Sequence, residues 1–153
     1  MKTLFEKIEE DLTKSMKAHD AARLSTLRVL IASVKNAAIA ARTSAKKVLD
    51  DSDVQGVVRQ ETKKIKDALI DFSKAARMDL VKSAEAELKI LSEYLPEAMS
   101  PDELKKIVAN VVDTADSVKE FGKIMGQVMK EVKGRADGES VAAAVKEALA
   151  KKL

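Results

Sequence analysis

The chain has 153 residues, of which 46% are apolar, 3% aromatic and 35% charged, with a net charge of +3. It has no cysteine, which excludes disulfides, thiolate nucleophiles and cysteine-ligated metal sites, and its single histidine argues against a multi-histidine metal centre or a Ser–His–Asp triad. Five glycines, two prolines and many alanine, leucine, lysine and glutamate residues predict an all-α fold. No apolar run approaches the roughly 18 residues of a membrane span and the N-terminus is acidic, so we expect a cytoplasmic protein without a signal peptide or membrane anchor.

Periodicity and capping residues predict four helices in the first part of the chain. Each helix carries apolar residues at the three- and four-residue spacing of a buried face, as in Leu4, Ile8 and Leu12. The four helices and their short connections predict a bundle. The caps expected at the first three helix starts are Thr3 with Glu6, Asp20, and Ser52 with Gln55, and the fourth helix is expected to begin at Asp79.

Three further helices are predicted after Pro96. The residue before a proline is driven out of the α region, so the fourth helix should end there. We therefore divide the chain into a four-helix N-terminal bundle, residues 1–95, and a small three-helix C-terminal domain, residues 96–153. The expected signals in the second part are Ser100 with Pro101 as the fifth start, Ser117 with Glu120 as the sixth, Gly134 as its end, and Asp137 as the seventh cap.

The sharpest basic cluster lies in the domain that is neutral overall. Residues 1–95 hold 18 bases and 15 acids and residues 96–153 hold ten of each, yet the segment 122–135 has four bases and one acid. At about 100° per residue, one face of the sixth helix is predicted to be the core. That face holds Val118, Phe121, Met125, Val128 and Val132, and the opposite side holds Lys119, Lys123, Lys130 and Lys133.

Gly122 and Gly126 lie inside this helix, where each glycine costs about 1 kcal/mol relative to alanine. One interpretation is that a neighbouring helix packs closely against the two glycines. The other is that a phosphate backbone approaches a helix face without side chains between flanking ammonium groups. Both interpretations remain open from the sequence.

The turn after the helix also has a structural and a functional interpretation. Its sequence is Lys133-Gly134-Arg135-Ala136-Asp137-Gly138. A glycine stop and an aspartate cap explain Gly134 and Asp137 structurally. Alternatively, Arg135 beside a helix N-terminus is a ready anion site, which Asp137 would oppose unless its carboxylate is occupied in capping.

Other candidates are weaker. Arg28, Lys35 and Arg42 recur every seven residues as a secondary basic stripe on the second helix, for which a solvated face is the simpler interpretation. His19 is expected to be exposed in a polar turn. Glu85, Glu87 and Glu93 lack a histidine or cysteine partner for metal or acid–base chemistry. No nucleotide-binding or nucleophile motif is present, so we expect no intrinsic catalysis, cofactor or metal.

Two runs near the C-terminus carry a family resemblance: Gly122-Lys123-x-Met125-Gly126-x-Val128-Met129 and Lys133-Gly134-Arg135-Ala136-Asp137-Gly138. They resemble the signature of the YqeY-like proteins and are similar to the C-terminal tail of GatB. GatB is a subunit of the glutamine-dependent amidotransferase that acts on Glu-tRNA(Gln) or Asp-tRNA(Asn). Further segments that look like the family, at residues 23–28, 76–80 and 87–96, extend the resemblance over nearly the whole chain.

The resemblance implies a GatB/YqeY-type helical fold with a tail-like C-terminal domain. In the amidotransferase the tail helps to hold the tRNA body, while amide transfer occurs in a catalytic domain without counterpart here. The matching tail positions are Lys123, Gly126, Lys130, Lys133, Gly134 and Arg135.

Our leading hypothesis is a tRNA- or structured-RNA-binding module. Because the chain has few aromatic residues, stacking on RNA bases is disfavoured, and contacts to the RNA phosphate backbone should dominate. The alternative is a protein-interaction adaptor for a tRNA synthetase or amidotransferase complex. The resemblance also implies a carbon–nitrogen ligase activity, but such an enzyme needs a nucleotide and magnesium site that the sequence does not show. The proposed phosphate contacts are Lys119, Lys123, Gly126, Lys130, Lys133, Gly134 and Arg135.

Overall fold

The structure, a computed structural model, describes residues 2–43, 48–114 and 120–152. These residues form seven helices, and the predicted all-α fold is confirmed. Ser117, Val118 and Lys119, which the sequence analysis placed in the sixth helix or at its start, lie outside the described residues. The helices are α1 (Leu4–Lys17), α2 (Ala21–Thr43), α3 (Asp51–Lys74), α4 (Met78–Ser92), α5 (Pro101–Thr114), α6 (Phe121–Val132) and α7 (Gly138–Lys152).

The chain forms two compact units, residues 1–95 and residues 96–153. Each unit has a hydrophobic core of its own, built from the apolar residues that repeat at helical spacing. The core of the first unit includes Ile8, Leu27, Leu30, Val58, Leu91 and Tyr94. The core of the second includes Leu104, Val108, Ile124, Val128, Val141 and Val145.

Two helix starts in the first unit confirm the predicted caps. The Glu6 N–H donates to Thr3 Oγ1 at 3.1 Å, and the Thr3 N–H donates to the Glu6 carboxylate at 3.2 Å, which completes the capping box of α1. At the start of α2, the Arg23 N–H donates to Asp20 Oδ1 at 3.1 Å. His19 is exposed and has φ 56°, so it ends α1 in a left-handed conformation.

The second unit also confirms two predicted caps. The Glu103 N–H donates to Ser100 Oγ at 3.2 Å, directly before Pro101 opens α5. The Ser140 N–H donates to Asp137 Oδ1 at 2.8 Å at the start of α7. These short-range signals could be recognised from the sequence because the donor and the acceptor lie three residues apart.

The predicted cap of α3 was wrong by two residues, and the predicted start of α4 was wrong by one. Asp50 and Asp53 form the capping box of α3, with the Asp53 N–H donating to Asp50 Oδ1 at 2.9 Å, so the helix starts before the predicted Ser52 cap. Ser52 with Gln55 matches the usual capping-box sequence, whereas Asp50 is followed three residues later by Asp53 rather than by glutamate or glutamine, so the sequence rule did not identify it. The fourth helix begins at Met78 rather than Asp79, without a side-chain cap.

Helix α2 is long and apolar enough, by length and composition alone, to cross a membrane. The same test is passed by mostly buried core helices of soluble proteins and by signal sequences near an N-terminus, and by this measure the expectation that no segment approaches a membrane span was wrong. Here Leu27, Leu30 and Val34 of α2 are buried in the core of the first unit. The opposite face of α2 is exposed and is considered below.

Two polar contacts hold the end of α4 against the first two helices. The Arg23 guanidinium donates twice to the Glu93 carboxylate, at 2.6 and 3.0 Å, and these hydrogen bonds lower the pKa of Glu93. The buried Tyr94 hydroxyl donates to Asp11 Oδ2 at 2.6 Å. Burial, and then this hydrogen bond, raise the pKa of Tyr94.

Candidate functional site

Helix α6 buries one face in the core of the second unit. Ile124, Val128 and Val132 are buried at a spacing of four residues. The sequence-derived core face was therefore partly wrong: Ile124 belongs to it, whereas Phe121 is 37% exposed. Phe121 is the first residue of α6, where a side chain has helical neighbours on one side only.

The two glycines of α6 lie on its exposed side. A Cβ added at Gly122 or Gly126 would meet no atom within 4 Å, so nothing among the described residues packs against either glycine. Close packing of another described helix therefore does not explain them. The face is open to a molecule from outside the chain.

Lysines surround this open face. Lys123, Lys130 and Lys133 are all exposed, and Lys123 lies 3.3 Å from the Glu120 carboxylate. Lys130 and Lys133 form no ion pair with any residue in the described ranges. We call the set the α6 basic surface, which comprises Gly122, Lys123, Gly126, Lys130 and Lys133. Lys119, predicted to belong to it, lies outside the described residues.

The turn after α6 contains two successive left-handed residues. Lys133 has φ 49° and Gly134 has φ 79°. The helix thus ends with Lys133 as its C-cap, one residue before the predicted glycine stop. Lysine is an uncommon residue in this conformation, and Gly134 beside it supplies the flexibility that the reversal needs.

Arg135 bonds to other residues of the second unit and is not part of the α6 basic surface. Its Nε donates to the Glu97 carbonyl at 3.0 Å and its Nη2 lies 3.0 Å from Glu103 Oε2. Its own carbonyl accepts from the Met99 N–H at 2.8 Å. An anion at Arg135 would have to compete with the Glu103 carboxylate, and the first turn of α7 is already capped by Asp137.

The secondary basic stripe lies on the first unit. Arg28, Lys35 and Arg42 are all exposed on α2 and form no ion pair with the described residues. The structure thus places the predicted cations on two separate units, residues 1–95 and residues 96–153.

The described residues show no arrangement of metal-ligating groups. No cluster of three or more histidine, cysteine, aspartate or glutamate side chains occurs among them. The one buried carboxylate, Glu61, accepts from Ser33 Oγ at 2.9 Å and pairs with Lys64 at 3.0 Å within the described part of the chain.

An exposed apolar edge, which was not predicted from the sequence, lies next to the lysines. Phe121 and Met129 are 37% and 39% exposed, and Met125 between them is half-buried. Their spacing of four residues places them on one edge of α6, beside Gly122 and Gly126. This spacing is visible in the sequence, but the pattern was assigned to the core.

The chain matches a known protein family over most of its length. The family model described as YqeY, Yqey-like protein, matches residues 5–149. The chain belongs to the YqeY-like protein family. The predicted family resemblance is therefore confirmed.

Similar YqeY-like chains occur in fungi. A Pyrenophora tritici-repentis protein named "Altered inheritance of mitochondria protein 41, mitochondrial" is 28% identical over 150 residues, 95% of this chain and 81% of that protein. The Kluyveromyces lactis protein of the same name is 32% identical over 113 residues, 72% of this chain and 60% of that protein. An uncharacterized Schizosaccharomyces pombe protein is 36% identical over 93 residues, 61% of this chain and 72% of that protein.

These relatives contradict one expectation from the sequence. We expected a cytoplasmic location because no export signal was visible, but the Pyrenophora and Kluyveromyces proteins are both named as mitochondrial. The absence of a visible export signal was therefore not sufficient grounds for the prediction.

Proposed function

We propose that this YqeY-like protein binds the phosphate backbone of a folded RNA, with tRNA as the substrate class, through the α6 basic surface. One observation carries the proposal: Lys130 and Lys133, which form no ion pair among the described residues, lie beside glycines whose missing side chains leave an open helix face. A phosphodiester backbone can approach such a face closely while ammonium groups neutralise it from the sides.

The choice of folded RNA rests on what the surface lacks. The chain has four aromatic residues in all, and Tyr94 is buried. Stacking of successive unpaired bases needs several exposed aromatic side chains, and Phe121 is the only exposed one among the described residues, so contacts to phosphates and to helical shape are the main available mode. The resemblance of the segment to the GatB tail favours tRNA among folded RNAs.

The structure changes the set of proposed contacts. Lys123, Lys130 and Lys133 are the principal phosphate contacts, Gly126 the point of close approach, and Gly134 the residue that permits the following turn. Arg135 supports the turn through Glu97 and Glu103, so we assign it to positioning rather than to a direct contact.

A gel shift with purified tRNA tests the proposal. Three lysines that neutralise three phosphates give a slope of log affinity against log salt of about −2 to −3. The triple change Lys123→Glu, Lys130→Glu and Lys133→Glu should abolish the shift, and circular dichroism should show an intact helix content.

The matched control changes three other exposed lysines of the same unit, Lys105→Glu, Lys106→Glu and Lys146→Glu. It alters net charge by the same amount and leaves the α6 basic surface intact. It should retain the shift and the salt slope. Equal loss of binding in the two triple variants would indicate a general charge effect and sink the proposal.

A second candidate function is docking of a protein partner on the same helix. The exposed Phe121 and Met129 favour it, because adaptable apolar side chains beside glycines suit a packed helix. Substituting both by serine should leave tRNA binding unchanged if RNA is the ligand. Loss of a protein partner that survives ribonuclease treatment would favour this candidate.

A further inference from the structure

The outward face of α2 carries a regular pattern that the proposed function does not use. Six exposed residues follow each other at alternating spacings of four and three, which is the spacing of the a and d positions of a heptad repeat. Val29 and Ile39 among them are 56% and 60% exposed. We call this set the α2 seam: Ser25, Val29, Ala32, Asn36, Ile39 and Thr43.

The α2 seam is distinct from the face that α2 buries. Thr26, Leu27, Leu30, Ile31 and Val34 face the core of the first unit, and none belongs to the seam. An 18-residue window of α2 has a mean hydropathy of 1.3, yet only 28% of that window is buried. The apolar composition of α2 is therefore typical of a helix that packs against neighbours on two faces. Among the described residues, only one of its faces is packed.

Cations line one edge of the α2 seam. Arg28, Lys35 and Arg42 each precede a seam residue by one position, which is the g position of the heptad. No acidic residue occurs anywhere in α2. In paired helices the g position faces the e position of the partner and selects it by charge.

We propose that α2 docks an amphipathic partner helix that presents an apolar seam to the α2 seam and carboxylates to Arg28, Lys35 and Arg42. Charge complementarity defines this occupant, because a row of three cations without internal acids is satisfied by a row of acids. Ser25 and Ala32 are small, so a partner backbone can approach closely.

The same features disfavour two other occupants. A second copy of this chain brings no acidic residue on α2, and in an antiparallel pair the two rows of cations would face each other. A bilayer surface would gain little, since Val29 and Ile39 are the only large apolar side chains of the seam and Asn36 lies between them.

Two synthetic helical peptides test the proposal by titration calorimetry against the full chain. Both have an identical leucine and alanine seam three heptads long, and one has glutamate and the other lysine at every e and g position. The glutamate peptide should bind with one-to-one stoichiometry and at least about tenfold more tightly than the lysine peptide. Its affinity should fall with added salt.

Variants of exposed residues separate docking from unfolding. Ala32→Arg places a long charged side chain in the middle of the seam and should abolish binding without changing helix content. The triple change Arg28→Glu, Lys35→Glu and Arg42→Glu should reverse the peptide preference. The control Lys63→Glu, Lys66→Glu and Lys82→Glu makes the same charge change at other exposed positions of the unit and should leave the preference unchanged.

Several results would overturn the proposal. It fails if neither peptide binds, or if both bind equally well. It also fails if sedimentation shows dimers of the chain that Ala32→Arg abolishes, or if vesicles of phosphatidylcholine and phosphatidylglycerol bind α2 while the peptides do not. Because the α2 variants leave the α6 basic surface intact, their effect on docking is separable from tRNA binding.

Discussion

Arg135 and Glu103 form an ion pair that joins the turn after α6 to the first turn of α5, with Nη2 3.0 Å from Oε2. The same guanidinium donates to the Glu97 carbonyl, so it contacts both the chain just before α5 and the first turn of α5. Lys133, two residues earlier, forms no ion pair with the described residues and is exposed. One turn thus contains a cation engaged in the fold and a cation available to a ligand.

These two cations should respond differently to the loss of charge. Arg135→Gln should lower the free energy of unfolding by about 1 kcal/mol, because a charge-assisted hydrogen bond and a partly exposed ion pair are lost. Lys133→Gln should change it by less than about 0.5 kcal/mol while weakening tRNA binding. Urea unfolding followed by circular dichroism measures the first effect and a gel shift the second. If Arg135→Gln weakens tRNA binding and Lys133→Gln does not, Arg135 rather than Lys133 contacts the RNA.

Gly126 is a site where function and stability conflict. Because an added Cβ would meet nothing within 4 Å, Gly126→Ala should stabilise the protein by about 0.5–1 kcal/mol through a smaller loss of backbone entropy. Gly56 in α3 is equally open, and Gly56→Ala is the matched control.

Both alanine variants should raise the midpoint of thermal unfolding. Gly126→Ala should weaken tRNA binding modestly and Gly126→Leu should weaken it more, because each side chain occupies the point of close backbone approach, whereas Gly56→Ala should leave binding unchanged. A destabilised Gly126→Ala protein would be inconsistent with the open helix face described above.

Local sequence rules predicted much of the fold. The caps at Thr3, Asp20, Ser100 and Asp137 were recognisable because each hydrogen bond closes over three residues. The rule failed at α3, where Ser52 with Gln55 fits the capping-box sequence but Asp50 with Asp53, which has aspartate at the third position, forms the box.

The candidate site could be predicted only in part. The lysines and glycines of α6 were identified by periodicity, since they share one helical segment. The role of Arg135 depends on Glu103, which lies 32 residues away in the chain, and no local pattern indicates such a pairing. The core position of Ile124 was likewise decided by how α6 packs in the second unit rather than by its own sequence.

The Arg23–Glu93 pair should make the free energy of unfolding depend on pH in the acidic range. Hydrogen bonds from Arg23 lower the pKa of Glu93, so the stabilisation is present above the unfolded pKa of about 4.3 and is lost as pH falls through the lower folded value. Both side chains are partly exposed, which limits the effect to about 1 kcal/mol or less.

Glu93→Gln should therefore flatten the fall in stability on acidification, as measured by urea unfolding at several pH values. Glu85→Gln on the same helix is the control, because Glu85 is exposed and makes no ion pair with the described residues. If both substitutions flatten the profile equally, the pair is not its source.

Tyr94 offers a direct optical test of the contact between α1 and the segment that follows α4. It is the only tyrosine, so the ultraviolet absorbance of tyrosinate reports on this one residue. Burial and the hydrogen bond to Asp11 raise the pKa of Tyr94, so the folded protein should resist ionisation well above the unfolded value of about 10. The stabilisation is complete below that value and is lost as pH rises through the folded pKa. Tyr94→Phe should lower the free energy of unfolding by about 1–2 kcal/mol, since the Asp11 carboxylate loses its hydrogen-bond donor. A titration midpoint near 10 in the folded protein would show that the hydroxyl is solvated and that the contact with Asp11 does not form.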